Sequence, residues 1–250
     1  MATKLLYLDE FDVNDCEAVV TVAAQAEDAR NVIELDQTCF YPRGGGQDWD
    51  TGTIKGDGTE FVVDEVRLDE NGVVKHIGTY KNGGEFAVGQ EVRCGVDVER
   101  RNANTRLHSA GHLLDMAMIA IAPDWVPGKG AHYLHMSFVE YMVPDGVTNE
   151  TANEAFVASV QTEIDALLQS EYQNKILFIP KEEMGTYCRH VPDNIPTNKP
   201  SRIVLYADDF GIPCGGTHVK QVKDIGRLQV TKIKIKKGVA KVSYAVEGIN

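Results

Sequence analysis

Four residues in two short motifs carry the clearest chemistry in this 250-residue chain: His108 and His112 in His108-Ser-Ala-Gly-His112, and Cys214 and His218 in Cys214-Gly-Gly-Thr-His218. Residues four apart in a helix lie on one face, one turn above the other, so the first two imidazoles can converge on one ion. The two glycines of the second motif let the backbone fold tightly enough to aim a thiolate and an imidazole inward. One soft thiolate with up to three imidazoles favours zinc over magnesium or calcium, so one Zn2+ per chain is expected. Either pair alone is weak, because His-x3-His is common by chance and a buried thiol often sits in a glycine turn. Two such pairs among only seven histidines and five cysteines are harder to dismiss.

Four protein ligands normally close a structural site, whereas a catalytic zinc keeps one position open. Two resolutions stand. One ligand stands back as an acid–base group, with His218 or His112 the first choices, or the site expands its coordination during reaction. Zinc peptidases place a general-base Glu after the first His. Here that position is Ser109, which removes the peptidase reading.

The elements that must position these residues divide near residue 96. Residues 1–95 read as a small β-barrel or sandwich. Its β-prone runs are Leu5–Leu8, Ala18–Ala23, Val32–Leu35, Thr51–Ile54, Phe61–Val66 and Glu85–Val92. Turn signals separate them at Gly44-Gly45-Gly46, Gly56-Asp57-Gly58, Asn71-Gly72 and Asn82-Gly83-Gly84. Residues 96–250 read as α+β. Leu107, Ala110, Leu114, Met118 and Ile121 mark a helix over 98–121, ended by Pro123 and Pro127. Thr151-Ala-Asn-Glu154 is a capping box for a second helix with the stripe Phe156, Val160, Ile164, Leu167 and Leu168. Strands are expected at Ile176–Ile179 and Ile203–Tyr206, and a hairpin of Leu228–Ile235 with Val239–Val246 turning at Lys237-Gly238.

Apolar residues make up 43% of the chain and charged residues 25%, which is ordinary globular composition. There is no apolar run long enough to span a bilayer and no signal peptide, so no membrane role is expected. An odd number of widely spaced cysteines fits a reduced, cytoplasmic setting better than a disulfide framework. The net charge of −12 disfavours long-range, non-specific nucleic-acid binding. Any RNA contact must come from a local basic patch. Lys232, Lys234 and Lys236 alternate with Ile233 and Ile235 and would share one strand face, and Arg100 and Arg101 precede the first helix.

These motifs resemble the editing domain of alanyl-tRNA synthetase and its free-standing relatives, the AlaX alanyl-tRNA editing proteins. Besides the two ligand motifs with Asp224-Ile225-Gly226, the resemblance covers Leu35-Asp-Gln-Thr38-Cys-Phe40-Tyr41-Pro42-Arg-Gly44-Gly45-Gly46-Gln47, Asp50-Thr51-Gly52, Asp97-x-x-Arg100-Arg101, Gly128-Lys129-Gly130-Ala-His132 and the Lys236-Lys237-Gly238 hairpin. That is essentially the whole chain, and it suggests the medium-length type, AlaX-M. The resemblance implies a translation-protein-like β-barrel followed by a zinc domain like the second additional domain of threonyl- and alanyl-tRNA synthetases. It implies hydrolysis of tRNA(Ala) mischarged with serine, with glycine as a further candidate, at the tRNA acceptor end and without a stable protein partner. His108, His112, Cys214 and His218 become the metal ligands, and Thr38 the reader of the serine hydroxyl. Gly45, Gly46, Gln47, Lys129 and Gly130 become substrate-binding residues. No catalytic side chain is assigned, and a metal-associated water is the expected nucleophile. The last strand departs from the pattern with Lys241 where Arg is expected, which keeps charge but loses the bidentate fork. Arg43 has no assignable role.

The chain opens on its own Met1, and nothing in it looks like an ATP-binding aminoacylation domain, so a free-standing protein is expected. The competing reading is a non-catalytic, zinc-stabilised RNA-binding module, and a third is another zinc hydrolase acting on peptides or D-aminoacyl esters.

Overall fold

The computed structural model describes residues 1–25, 30–81 and 84–249, and the turn read at Asn82-Gly83 lies outside them. The chain forms two compact units. One holds residues 1–44 and 48–102, the other residues 45–47 and 103–250.

In the first unit, β1 (Lys4–Leu5) pairs in parallel with β4 (Gln37–Thr38). The strands β2 (Asp15–Gln25), β3 (Asn31–Leu35), β5 (Gly52–Gly56), β6 (Thr59–Leu68), β7 (Val74–Tyr80) and β8 (Glu91–Val96) close into a barrel in the order β2-β3-β7-β6-β5-β8. Closure leaves no strand edge unpaired. Alternate residues point inward, so Ile33 and Leu35, Phe61 and Val63, and Val92 and Cys94 are buried. Two expected strands differ. Residues Leu6–Leu8 form a 3-10 turn after β1, and the strand expected over Glu85–Val92 begins only at Glu91. The barrel strand β7 was not expected. Its sequence, Val-Lys-His-Ile-Gly-Thr-Tyr, buries His76 completely, and a histidine on the inner face breaks the apolar alternation.

A buried ion pair ties the barrel together. Arg101 is 3% exposed and Asp50 fully buried. The Arg101 guanidinium donates Nε to both carboxylate oxygens of Asp50, at 3.1 and 3.0 Å, and Nη2 to Oδ2. Its remaining donors reach the carbonyls of Val13, at 2.9 Å, and Cys39, at 2.6 Å. The Tyr41 amide also donates to Asp50, at 2.6 Å. Arg101 was expected to face tRNA. It is buried in this network instead, because the carboxylate it neutralises is itself out of water.

In the second unit, α1 (Val98–Ile121, whose first turn belongs to the barrel unit) buries Leu107, Ala110, Leu113, Leu114 and Met118. One antiparallel sheet runs β14-β15-β10-β9, from β9 (Val126–Tyr133), β10 (Met136–Met142), β14 (Leu228–Lys236) and β15 (Val239–Val246). A smaller sheet runs β11-β12-β13, from β11 (Lys175–Ile179), β12 (Ser201–Ala207) and β13 (Phe210–Pro213). Helix α2 (Glu154–Leu168) packs on β14 with Val160, Ile164 and Leu167 buried. Its cap is Asn153, whose side chain accepts from the Phe156 amide at 3.1 Å. The capping box expected at Thr151 does not form, because the Thr151 hydroxyl donates to the Thr148 carbonyl in the preceding turn. The terminal hairpin turns at Lys237 and Gly238, with φ of 52° and 74°, as a two-residue turn with both residues left-handed requires. All five cysteines are free thiols, and no helix is long and apolar enough to cross a membrane among the described residues.

The Arg101→Ala variant leaves Asp50 charged, buried and unpaired, and is expected to destabilise the protein by about 3–5 kcal/mol. The double variant Arg101→Met with Asp50→Leu is expected to recover most of that loss. Denaturant unfolding of the three proteins checks both.

Candidate metal centre

The structure brings His108, His112, Cys214 and His218 together, with one ligand atom from each lying within 4.8 Å of all the others. The Cys214 sulfur lies 3.4 Å from His108 Nε2 and 3.3 Å from His218 Nε2. Around a tetrahedral zinc, sulfur and nitrogen ligands are held roughly 3.6 Å apart. Both nitrogens of His112 are buried with no hydrogen-bond partner, although Asp115 approaches Nδ1 at 3.6 Å. A buried imidazole without partners is costly unless something else binds it. The donor set, its spacing and this orphaned ring all fit a zinc ion.

His108 and His218 are each aimed by a hydrogen bond at the outer nitrogen, and His112 has a carboxylate beside it. Gln47 Oε1 accepts from His108 Nδ1 at 2.7 Å, which places the hydrogen there and leaves Nε2 free to ligate. Gln47 is held in turn, because its Nε2 donates to Thr217 Oγ1 at 2.9 Å and its Oε1 accepts from the Thr217 amide at 3.1 Å. For His112 the neighbour is Asp115, fixed by the Tyr141 hydroxyl at 2.7 Å. For His218 it is the Tyr206 hydroxyl, 3.0 Å from Nδ1. Ser109, where a peptidase would carry its Glu, is fully buried and accepts from the Val219 amide at 3.0 Å. It buttresses the second ligand motif. That motif is also pinned by Arg202, whose Nη1 donates to the carbonyls of Cys214, at 2.6 Å, and Gly216, at 3.1 Å. A Cβ at Gly216 would overlap the His108 ring, so the loop approaches this closely only with glycine there.

The electrostatics suit neutral nitrogen ligands at His108 and His218 and a thiolate at Cys214. Burial, reinforced by the neighbouring rings, holds His108 and His218 well below the usual imidazole range. Burial also opposes charge on His112, but the Asp115 carboxylate and Cys214 outweigh it and raise it to about 9. For Cys214, burial opposes the thiolate, yet His112, the Gly216 amide and Arg202 together hold the thiol below its ordinary value.

The cluster opens on a cavity of about 860 Å³. Gly45, Gly46, Lys129 and Gly130 line it, as do Asp115, His132, Arg189 and His190. Gln47 is fully buried behind His108. Thr38 belongs to the barrel unit and is fully buried. His76 Nδ1 donates to the Ile33 carbonyl at 2.9 Å, so its Nε2 accepts from the Thr38 hydroxyl at 2.8 Å. The Phe40 amide donates to Thr38 Oγ1 at 3.0 Å. Arg100 donates to the Trp49 carbonyl at 2.9 Å. Lys232, Lys234 and Lys236 are exposed along β14, with Ile235 buried between them. Lys241 lies 3.5 Å over the Phe138 ring.

Sequence reasoning missed Asp115, Tyr206, Arg202 and His132. Asp115, three residues after His112 on the same helix face, was the one with a readable signal. The Gln47→Ala variant leaves all four ligands in place but frees the His108 ring, and is expected to weaken zinc binding by about tenfold to a hundredfold. Competition with a chromophoric chelator measures it.

A family model described as tRNA synthetases class II (A) matches residues 12–100. The chain is 31% identical over 252 residues to the alanine–tRNA ligase of Halobacterium salinarum, covering 97% of this chain and 26% of the ligase. It is 33% identical over 226 residues to the ligase of Leptospira biflexa, covering 85% and 22%. It is 28% identical over 236 residues to the alanyl-tRNA editing protein AlaX-L of Pyrococcus horikoshii, covering 93% and 54%. The chain therefore spans about a quarter of the ligases and about half of AlaX-L. It belongs to the sequence family that alanine–tRNA ligases share with AlaX-type alanyl-tRNA editing proteins.

Proposed function

We propose that this chain is a trans-acting hydrolase that removes serine from mischarged tRNA(Ala), takes glycine as a second substrate and spares alanine. The observation that carries this reading is the convergence of His108, His112, Cys214 and His218, the first three of which line a cavity of about 860 Å³. The match to a named editing protein over 93% of the chain supports it. The glycine-rich barrel together with the ligand motifs fits the AlaX-M type, and a substrate of charged tRNA places the work in the cytoplasm.

A zinc ion held by these four residues would supply a Lewis acid beside the ester carbonyl. The chain's own residues do the rest. Gln47 and Tyr206 keep the His108 and His218 imidazoles in one orientation, so that part of the site is ordered before substrate arrives. Glycines 45, 46 and 130 keep their part of the cavity wall free of side chains, leaving room there for the ribose and amino acid. Lys129 is exposed at the cavity and offers a cation to the terminal phosphates. The exposed Lys232, Lys234 and Lys236, with Arg100 as a further candidate, offer phosphate contacts on an otherwise acidic protein. Ser109 is committed to the Val219 amide and carries no carboxylate, so peptide hydrolysis has no base.

A second reading, a zinc-stabilised RNA-binding module without turnover, is favoured by one feature: four protein ligands are the number that closes a structural site.

The experiment is release of labelled amino acid from Ser-, Gly- and Ala-tRNA(Ala), with folded Cys214→Ala as control. Rapid loss of serine with alanine spared, abolished in the control, is the expected outcome. Zinc-loaded wild type that binds tRNA(Ala) but releases no serine would establish the binding module instead.

A further inference from the structure

Away from the metal centre, the barrel unit gathers three thiols of its own. Cys16 on β2, Cys39 just after β4 and Cys94 on β8 all join the barrel core, with Cys39 and Cys94 fully buried and Cys16 partly exposed. A single buried cysteine is ordinary core filling. Here three meet from segments far apart in the chain.

Strand pairing sets the geometry of two of them. Strands β2 and β8 are antiparallel, and Cys16 stands directly opposite Cys94. On one side of this pair the Val96 amide donates to the Asn14 carbonyl at 3.0 Å, and on the other the Val20 amide donates to the Gln90 carbonyl at 3.0 Å. Hydrogen-bonded pairs recur at every second residue of such a ladder, so Cys16 and Cys94 form one too. Their Cα atoms then stand about 5.5 Å apart with both side chains on one face. That separation lies inside the range of about 4.4–6.8 Å that a disulfide spans.

The surroundings of the Cys16 sulfur single it out among the three. The thiols of Cys39 and Cys94 and the Cys39 amide are turned toward it. These donors outweigh burial and hold the Cys16 thiol well below its usual range, whereas contact with Cys16, reinforced by burial, holds the other two above theirs. The thiol that solvent reaches is thus the one that ionises, and the thiolate is the nucleophile. Among the described residues, the set gathered closely enough to hold a metal ion is the one at His108, so the three sulfurs are not a second metal centre.

We propose that Cys16 and Cys94 form a reversible oxidation site, at which a peroxide oxidises Cys16 and Cys94 then closes a disulfide between β2 and β8. The Cys16 thiolate attacks one peroxide oxygen. An S–O bond forms as the O–O bond breaks, and hydroxide leaves. The sulfur has given two electrons to the peroxide and is now a sulfenic acid. The Cys94 sulfur attacks it next. The S–S bond forms, the S–O bond breaks, and the departing hydroxide takes the Cys94 proton and leaves as water. A dithiol reductant returns both thiols. Closure stops the oxidation of Cys16 at a step that can be undone, before the irreversible sulfinic acid. Cys39 sits in a bend rather than opposite Cys16 in the ladder, and stays reduced.

The test treats the purified, zinc-loaded protein with hydrogen peroxide, alkylates the remaining thiols and maps the digest by mass spectrometry, with zinc release followed in parallel. The expected product is a peptide pair joined through Cys16 and Cys94, absent after dithiothreitol. In Cys94→Ala, which keeps a small apolar side chain in the core, Cys16 is expected to accumulate as sulfenic acid trapped by dimedone. If that variant does not melt cooperatively, the wild-type digest decides alone. Wild-type protein whose Cys16 is joined to Cys39, or to Cys16 of a second copy, overturns the proposal. So does Cys16 found as sulfinic acid with Cys94 a free thiol. Zinc release with Cys214 oxidised and Cys16 untouched also overturns it, and leaves the metal centre and the editing reading standing.

Discussion

Burying three imidazoles and a thiol against one another is unfavourable unless each has a fixed partner, and much of the second unit is built to meet that demand. For two rings the solution is a hydrogen bond at the outer nitrogen, with Gln47 for His108 and with Tyr206 for His218, and their inner nitrogens then point toward Cys214, while Asp115 stands 3.6 Å from His112. The partners are themselves braced by Thr217, Tyr141 and Ser109. A ring held at one end by a specific hydrogen bond has one tautomer and one orientation, so the donor set exists before any ligand arrives. Gly216 and Ser109 near the ligands thereby acquire plain mechanical roles. Ser109 joins α1 to the loop that carries His218, and Arg202 holds the carbonyls of that loop.

The same economy of side chains shapes the cavity. Glycines 46, 111, 130 and 216 each stand where a Cβ would strike His108, His132 or the backbone beside them. These glycines come from four different parts of the chain, which is why the two ligand motifs are surrounded by so little bulk. The rest of the cavity wall carries apolar side chains, among them Ile119, Trp125, Val139 and Phe210.

The sequence revealed what depends on short range. Helix α1 and its two histidines, the lysine face of β14 and the Lys237-Gly238 turn all follow from local periodicity or turn chemistry. Strand β9 was hidden because Val-Pro-Gly-Lys-Gly reads as a loop. It is a strand because pairing with β10 and the close approach of His132 require backbone without bulk. Strand β7 was hidden by its buried histidine. The cap of α2 fell two residues beyond Thr151 because Thr148 captured that hydroxyl. The role of Arg101 could not be read, since its partner Asp50 lies 51 positions away and a charged residue gives no local sign of being buried. The contact of His132 with the Tyr244 hydroxyl spans 112 positions, and that of Tyr244 with the Leu107 carbonyl spans 137. No window along the chain contains those pairs.

The account stands on the four residues acting as one metal-binding set. X-ray absorption at the zinc edge of the purified, metal-loaded protein tests that most directly. The structure predicts one sulfur at about 2.3 Å and two or three imidazole nitrogens at about 2.0–2.1 Å. A first shell of oxygen alone, or zinc that lacks the sulfur contribution, would contradict it.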